Sequence, residues 1–272
     1  MSDPRPIGFF DSGVGGLTVL REVVRRLPNE STIYLGDNAR APYGPRSDAE
    51  VRRFSGECLD QLAARDVKAI VVACNTSSAV ALPELRLRYA VPLLGVVRPG
   101  ATAAVLASRN RRVGVIATSA TVRSRAYFQA IKDENPFVEV IEHATPELVP
   151  LVEAGELDGP LVDDVLRRSL APLTEAGSEL DTLLLGCTHY PLLAPAIRRI
   201  VGPQVAVIDS ASATASALAG LLEIHDLAAP AGGQPTHTQL TTGDVDAFRR
   251  IAARLFGAAA PEVEPVALAG AA

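Results

Sequence analysis

Two of the three cysteines in this 272-residue chain stand in matching surroundings. Cys74 closes the apolar run 69–73 and is followed by Asn75-Thr76; Cys187 closes the run 182–186 and is followed by Thr188-His189. A thiol with an ordinary pKa of about 8.5 needs only modest tuning to become a thiolate near neutral pH. A pair of them on opposite sides of a small substrate could remove a proton from one face of a carbon and deliver one to the other. That is racemisation or epimerisation. The carbanion would be brief, and hydroxyl and backbone N–H donors at Asn75, Thr76, Ser77, Ser78 and Thr188 could steady its carboxylate. The bland alternative is an inert, buried core thiol. That is the reading for Cys58, placed on the apolar face of a helix with no polar company expected.

His189, two residues after Cys187, could polarise that thiol or protonate a substrate group. Zinc is disfavoured, because two thiolates and one imidazole leave a fourth ligand unnamed. Asp11-Ser12-Gly13-Val14-Gly15-Gly16 follows an apolar run, and its glycines could let backbone approach a ligand. Without lysine it is no phosphate-binding P-loop. Tyr34-Leu35-Gly36-Asp37 running into Pro42-Tyr43-Gly44 reads as a strand end and a loop that could fold over a small molecule. Glu153 is one acid in the apolar stretch Val149-Pro150-Leu151-Val152, where burial would raise its pKa; an exposed helix glutamate fits equally. The only lysines, Lys68 and Lys132, read as solvated ends of elements, which weakens Schiff-base or pyridoxal phosphate chemistry.

The elements that must position these groups alternate. Short β-branched runs at 7–10, 32–35, 69–73, 93–97, 113–117, 138–141, 182–186, 205–208 and 239–241 are separated by amphipathic segments. Leu17, Leu20, Val23, Val24 and Leu27 recur at helical spacing, and Ser47 with Glu50 forms a capping box ahead of Val51, Phe54, Cys58 and Leu62. The pattern predicts an α/β fold with mostly parallel sheets covered on both faces. The run 7–12 is echoed at 113–118, and the Cys74 segment by the Cys187 segment, which predicts two similar three-layer halves related by a pseudo-twofold. Residues 258–272, rich in Ala, Pro and Gly, read as a disordered tail. Lys plus Arg number 26 against 31 Asp plus Glu, a net charge of −5 that offers no field for nucleic acid. Sparse cysteine, no signal peptide and no apolar run long enough for a membrane helix point to the cytoplasm.

The strings 9–19, Gly36-Asp37 with Pro42-Tyr43-Gly44, Ala73-Cys74-Asn75-Thr76, 149–153 and 186–191 resemble, in order, those of glutamate racemases of the cofactor-independent aspartate/glutamate racemase superfamily. The resemblance implies interconversion of L- and D-glutamate with no cofactor and no metal, supplying D-glutamate for peptidoglycan. It implies that Cys74 works on D-glutamate and Cys187 on L-glutamate, with Asp11 assisting Cys74, and Glu153 with His189 assisting Cys187. Substrate contacts implied are Asp11, Ser12, Tyr43, Gly44, Asn75, Thr76, Thr118, Thr121, Thr188 and His189. Two α/β domains are implied, 1–98 with 209–257 and 99–208, with the site in the cleft between them. Thr145-Pro146 stands where related sequences often read Cys-Pro, outside the catalytic pair. Three alternatives stay open. One is a racemase of aspartate or another acidic amino acid. Another is a partner-binding protein, such as a DNA gyrase modulator, using the cluster Arg109, Arg111 and Arg112. The last is a Cys–His hydrolase using one thiol. A homodimer is compatible with any of them.

Overall fold

The computed structural model describes residues 2–174, 179–257 and 262–268. Its strands are β1 (Ile7–Asp11), β2 (Thr32–Gly36), β3 (Ala69–Val72), β4 (Leu93–Gly95), β5 (Arg112–Ala117), β6 (Glu139–Ala144), β7 (Thr182–Gly186), β8 (Ala206–Asp209), β9 (His237–Thr241) and β10 (Val263–Pro265). They form a six-stranded sheet, β10-β9-β2-β1-β3-β4, and a four-stranded one, β6-β5-β7-β8. Every pairing is parallel. The α/β expectation with mostly parallel sheets is met. The central strands β1, β3 and β7 are buried along their whole length, as strands covered by helices on both faces must be.

Alternation along the strands sorts the core. Ile7, Phe9, Ala69 and Val71 face the helices Leu17–Arg26, Ala211–Ile224 and Val245–Phe256. Phe10, Ile70 and Val72 face the opposite way, onto Val51, Phe54, Leu59 and Leu62 of Asp48–Ala63, a helix that starts with the Ser47–Glu50 capping box. That second cluster runs on without a break through Ala101 and Ala104 and through Tyr127, Ala130 and Ile131 to Val113, Val115 and Leu184 of the other sheet. Each large side chain in this seam contributes about 1.5–3 kcal/mol on burial. A hydrogen bond between the halves contributes about 1 kcal/mol. The seam therefore does most to fix how the two sheets face each other.

The two sheets share a strand order, β2-β1-β3-β4 and β6-β5-β7-β8, so β1 corresponds to β5 and β3 to β7. The echo read between 7–12 and 113–118, and between the two cysteine segments, is this correspondence.

Three expectations need correction. Residues 262–268 are ordered: β10 pairs with β9, Val263 and Leu268 are buried, and Pro265 is tolerated because β10 is an edge strand. A strand of three residues is too short to show a pattern; 258–261 and 269–272 lie outside the described residues. Lys68 is not solvated. Its ammonium is fully buried, paired with Glu30 at 2.5 Å and donating to the Asp3 carbonyl at 2.7 Å. Cys58 does have polar company, with Arg40 Nη2 3.7 Å from its Sγ.

The arginine cluster lies at the far end of β5 from the cysteines. Arg109 donates to the Gln204 carbonyl at 3.0 Å, and Arg112 pairs with Glu139 and Glu179. Among the described residues no helix is long and apolar enough to cross a membrane.

Candidate active site

Strand order makes the site. In each sheet the first strand is flanked by the second on one side and the third on the other, so the chain changes direction between β1 and β3 and again between β5 and β7. Crevices beyond the carboxyl ends at such points are where open α/β sheets hold ligands. At the ends of β1 and β3 lie Asp11, Ser12 and Cys74; at the ends of β5 and β7 lie Thr118 and Cys187. The two crevices face each other across a small, partly open cavity lined by both cysteines.

Cys74 caps the helix Asn75–Val80, its Sγ accepting the Ser77 N–H at 3.4 Å. It donates to Ser12 Oγ at 3.4 Å. Burial, and then the nearby charge of Asp11, push the Cys74 thiol up to about 11, against the opposing pull of Ser12 and Ser77. Asp11 is itself sealed, with Oδ2 accepting the Gly13 N–H at 3.1 Å and Oδ1 accepting Thr188 Oγ1 at 3.3 Å. Burial raises its pKa, and the His189 charge opposes the rise.

Around Cys187 the partner is a base. His189 Nδ1 lies 3.8 Å from Cys187 Sγ, and Nε2 lies 3.4 Å from Glu153 Oε1. Burial works against a charged imidazole here. The contacts with Cys187 and Glu153, helped by the Asp11 charge, outweigh it and lift His189 to about 10. Glu153 is not the enclosed acid of the first expectation; 38% of its side chain meets solvent. The glycine-rich turn after β1 packs on this side: a Cβ at Gly15 would stand 2.4 Å from Thr188 Oγ1 and 2.8 Å from His189 Nδ1.

The halves also touch through polar groups. Thr76 Oγ1 lies 2.9 Å from Thr118 Oγ1 and 3.3 Å from Thr121 Oγ1, and the Ala120 N–H donates to the Gly44 carbonyl at 3.2 Å. Among the described residues no three His, Cys, Asp or Glu side chains group as a metal site would need.

A model of the Asp/Glu/hydantoin racemase family matches residues 7–218. The chain belongs to that family. It is 47% identical to the glutamate racemase of Exiguobacterium sibiricum over 248 residues, 91% of either chain. Glutamate racemase isoform RacE1 of Bacillus anthracis superposes with a TM-score of 0.93 at 42% identity, covering 97% of this chain and 98% of that one. The Francisella tularensis glutamate racemase, solved in complex with D-glutamate, superposes at 0.90 with 34% identity, covering 97% of this chain and 98% of that one.

Of the residues that carry the racemase resemblance, Ser12, Tyr43, Gly44, Cys74, Asn75, Thr76, Thr118, Glu153, Cys187, Thr188 and His189 line the one cavity. Asp11 and Thr121 do not; both are wholly buried behind it. Tyr43 borders the cavity but turns its ring toward Phe10 and Phe54, and its hydroxyl donates to Asp37. Sequence reasoning named Tyr34 and Asp37 only as parts of a strand end and loop, and missed Tyr127. Tyr34 donates to the Gly13 carbonyl at 2.9 Å, holding the turn after β1. Tyr127 receives Asn75 Nδ2 at 2.6 Å. Asp37 accepts Arg40 Nε at 2.7 Å and Thr242 Oγ1 at 2.8 Å as well as Tyr43. One signal existed: the chain has only five tyrosines, and a buried tyrosine hydroxyl must find a partner.

Proposed function

We propose that this chain is a glutamate racemase that interconverts L- and D-glutamate by two thiols, without a cofactor. The observation that carries the reading is that Cys74 and Cys187, at equivalent strand ends, line one cavity with opposite acid–base partners. The reading takes 1–98 with 209–257 and the edge strand β10 as one half, 99–208 as the other, and a small acidic amino acid between them.

Cys74, pushed up to about 11, holds its proton at neutral pH. His189, lifted to about 10, stays an imidazolium beside Cys187 and supports negative charge on that sulfur. In that state L-glutamate gives its Cα proton to Cys187 Sγ, and the electron pair remains on Cα, delocalised into the carboxylate. Cys74 Sγ–H then donates to the opposite face and is left as a thiolate. One S–H bond is made and one broken, so the product leaves the enzyme set for the reverse direction. The backbone N–H of Asn75 and donors at Thr76 and Thr188 suit the carboxylate in its carbanion-like state. D-glutamate made this way would serve peptidoglycan assembly in a bacterial cytoplasm.

The test is circular dichroism of the purified protein with L-glutamate and nothing added. The signal should decay to zero as the equimolar mixture forms. Unchanged L-glutamate beside rapid loss of L-aspartate signal would give the reaction to aspartate instead. Run in D₂O, early D-glutamate should carry deuterium at Cα; product that keeps its original hydrogen would point to a single base swinging between faces.

A further inference from the structure

Asn75 borders the cavity next to Cys74 and is 2% exposed. Its amide is divided. Nδ2 donates to Tyr127 Oη at 2.6 Å, whereas Oδ1 is buried with no hydrogen-bond partner. A buried acceptor left unpaired is costly, so an amide oxygen kept this way at a cavity wall is set for a donor that arrives with the ligand. Tyr127 reaches Asn75 from the other half, on the helix Ala126–Glu134, and it cannot swing aside. A Cβ at Gly186 would stand 2.9 Å from Tyr127 Cε2, and one at Gly100 would stand 3.5 Å from Cε1. The ring is gripped between the helix Val97–Ala107 and the end of the strand that carries Cys187.

Glutamate offers one strong donor. Both carboxylates are ionised and only accept, while the α-ammonium only donates. The geometry points to Tyr127 as a positioning residue: by holding Nδ2, it presents Asn75 Oδ1 as the acceptor for the substrate α-ammonium. This rests on the glutamate reading above. Without the phenol the amide is free to flip, and Nδ2 would meet the ammonium donor to donor. Because Tyr127 and Asn75 come from opposite halves, the ammonium seat is complete only when both halves are in place.

The test is Tyr127→Phe, which keeps the ring and removes only the hydroxyl. KM for both enantiomers should rise about tenfold, a hydrogen bond to a charged group, with kcat falling less. Glutarate, with both carboxylates and no ammonium, is the probe that separates positioning from general damage. Its competitive Ki should stay within about twofold, because it never used the Asn75 oxygen. Equal weakening of glutamate and glutarate, or an unchanged KM, overturns the inference. A double-mutant cycle with Asn75→Ala asks the same question if Tyr127→Phe also lowers Tm or if glutarate binds poorly. Adding Tyr127→Phe to Asn75→Ala should leave KM where Asn75→Ala alone puts it; independent, multiplying losses overturn the inference. Wild-type turnover of glutamate is measured first. Its absence defeats the underlying reading, whereas an active wild type with the wrong ratios defeats only the role given to Tyr127.

Discussion

Cys74 and Cys187 end equivalent strands, yet one is shut in with a carboxylate, a hydroxyl that accepts its proton and a backbone N–H donor, and the other shares an imidazole with a carboxylate that reaches solvent. The difference lies in one residue at the end of β1 and one just past β7. β1 ends in Asp11, whose charge lifts the thiol beside it; beyond β7 stands His189, whose charge sits against the sulfur. A racemase needs its two thiols in opposite protonation states at any instant. A perfectly symmetric cleft would give both the same state. Duplicated architecture supplies the two facing positions, and divergence of one or two side chains per half supplies the asymmetry.

The largest break in this comparison is removal of either thiol. Cys74→Ala and Cys187→Ala should each cut racemisation by about 10⁴-fold, the upper range for a single acid–base group, since each face then lacks its proton carrier. Equal loss in the two variants is expected despite their unequal surroundings. Robust racemisation by one of them, followed by circular dichroism, would leave the other thiol as the sole actor and end the two-sided scheme.

Smaller losses are expected from the helpers, and they should be unequal. Asp11→Asn and Glu153→Gln should each lower kcat by about 10²-fold with little change in KM, because their work is in proton transfer. Asp11 serves the Cys74 face and Glu153 the Cys187 face, so the forward and reverse kcat values should fall by different factors in each variant. The Haldane relation still holds the ratio of the two kcat/KM values at unity. Matching losses in both directions for both variants would mean that the sides are not divided as the geometry divides them.

The pH profile sharpens the same point. A base raised to about 10 keeps its proton through the neutral range and loses it as pH climbs. The positive charge beside Cys187 then vanishes, and Cys74 gives up its proton only later, near 11. The fall in kcat for L-glutamate, which reports groups in the enzyme–substrate complex, should therefore be centred near 10. A free imidazole would put it near 6.5. The Asp11 charge raises both groups, so Asp11→Asn should move this alkaline limb to lower pH. A limb near 6.5 in the wild type would remove the imidazolium from the scheme.

Much of this site was legible as short strings because its chemistry hangs on strand ends. Asp11, Cys74, Thr118 and Cys187 each come directly after a buried apolar run, and a run of that kind shows itself by composition alone. The supports were not legible. Tyr127 and Asn75 lie in different halves, as do Thr76 and Thr118, and only the packing of two sheets brings them together. Lys68 misleads for a related reason: its partner Glu30 lies before β2, and nothing local to Lys68 announces a buried ion pair. The edge strand β10 is hidden because three residues carry too little pattern to stand out from an alanine-rich end.

The subtlest consequence concerns where protons leave. Glu153 is 38% exposed, and it links through His189 to Cys187, so a proton on that sulfur has a short polar route to bulk water. Cys74 is 3% exposed and its neighbour Asp11 is wholly buried, so while substrate fills the cavity a proton there has none, and it exchanges only when the cavity is empty. Consider unlabelled L-glutamate in D₂O at low conversion, before labelled product can return. The proton lent to Cys187 competes between going back to Cα and exchanging outward through His189 and Glu153. Some recovered L-glutamate should therefore carry deuterium. In the mirror experiment unlabelled D-glutamate lends its proton to Cys74, which can only hand it back, and recovered D-glutamate should carry less. The effect is small because the carbanion is brief, but it is a difference between two measurements on one enzyme, read by mass spectrometry of the separated enantiomers. Glu153→Gln removes the outlet without removing His189, so labelling of recovered L-glutamate should drop toward the D-glutamate value. Equal labelling from both enantiomers, or more from D-glutamate, would show that the open and sealed sides of this cleft do not differ in proton traffic.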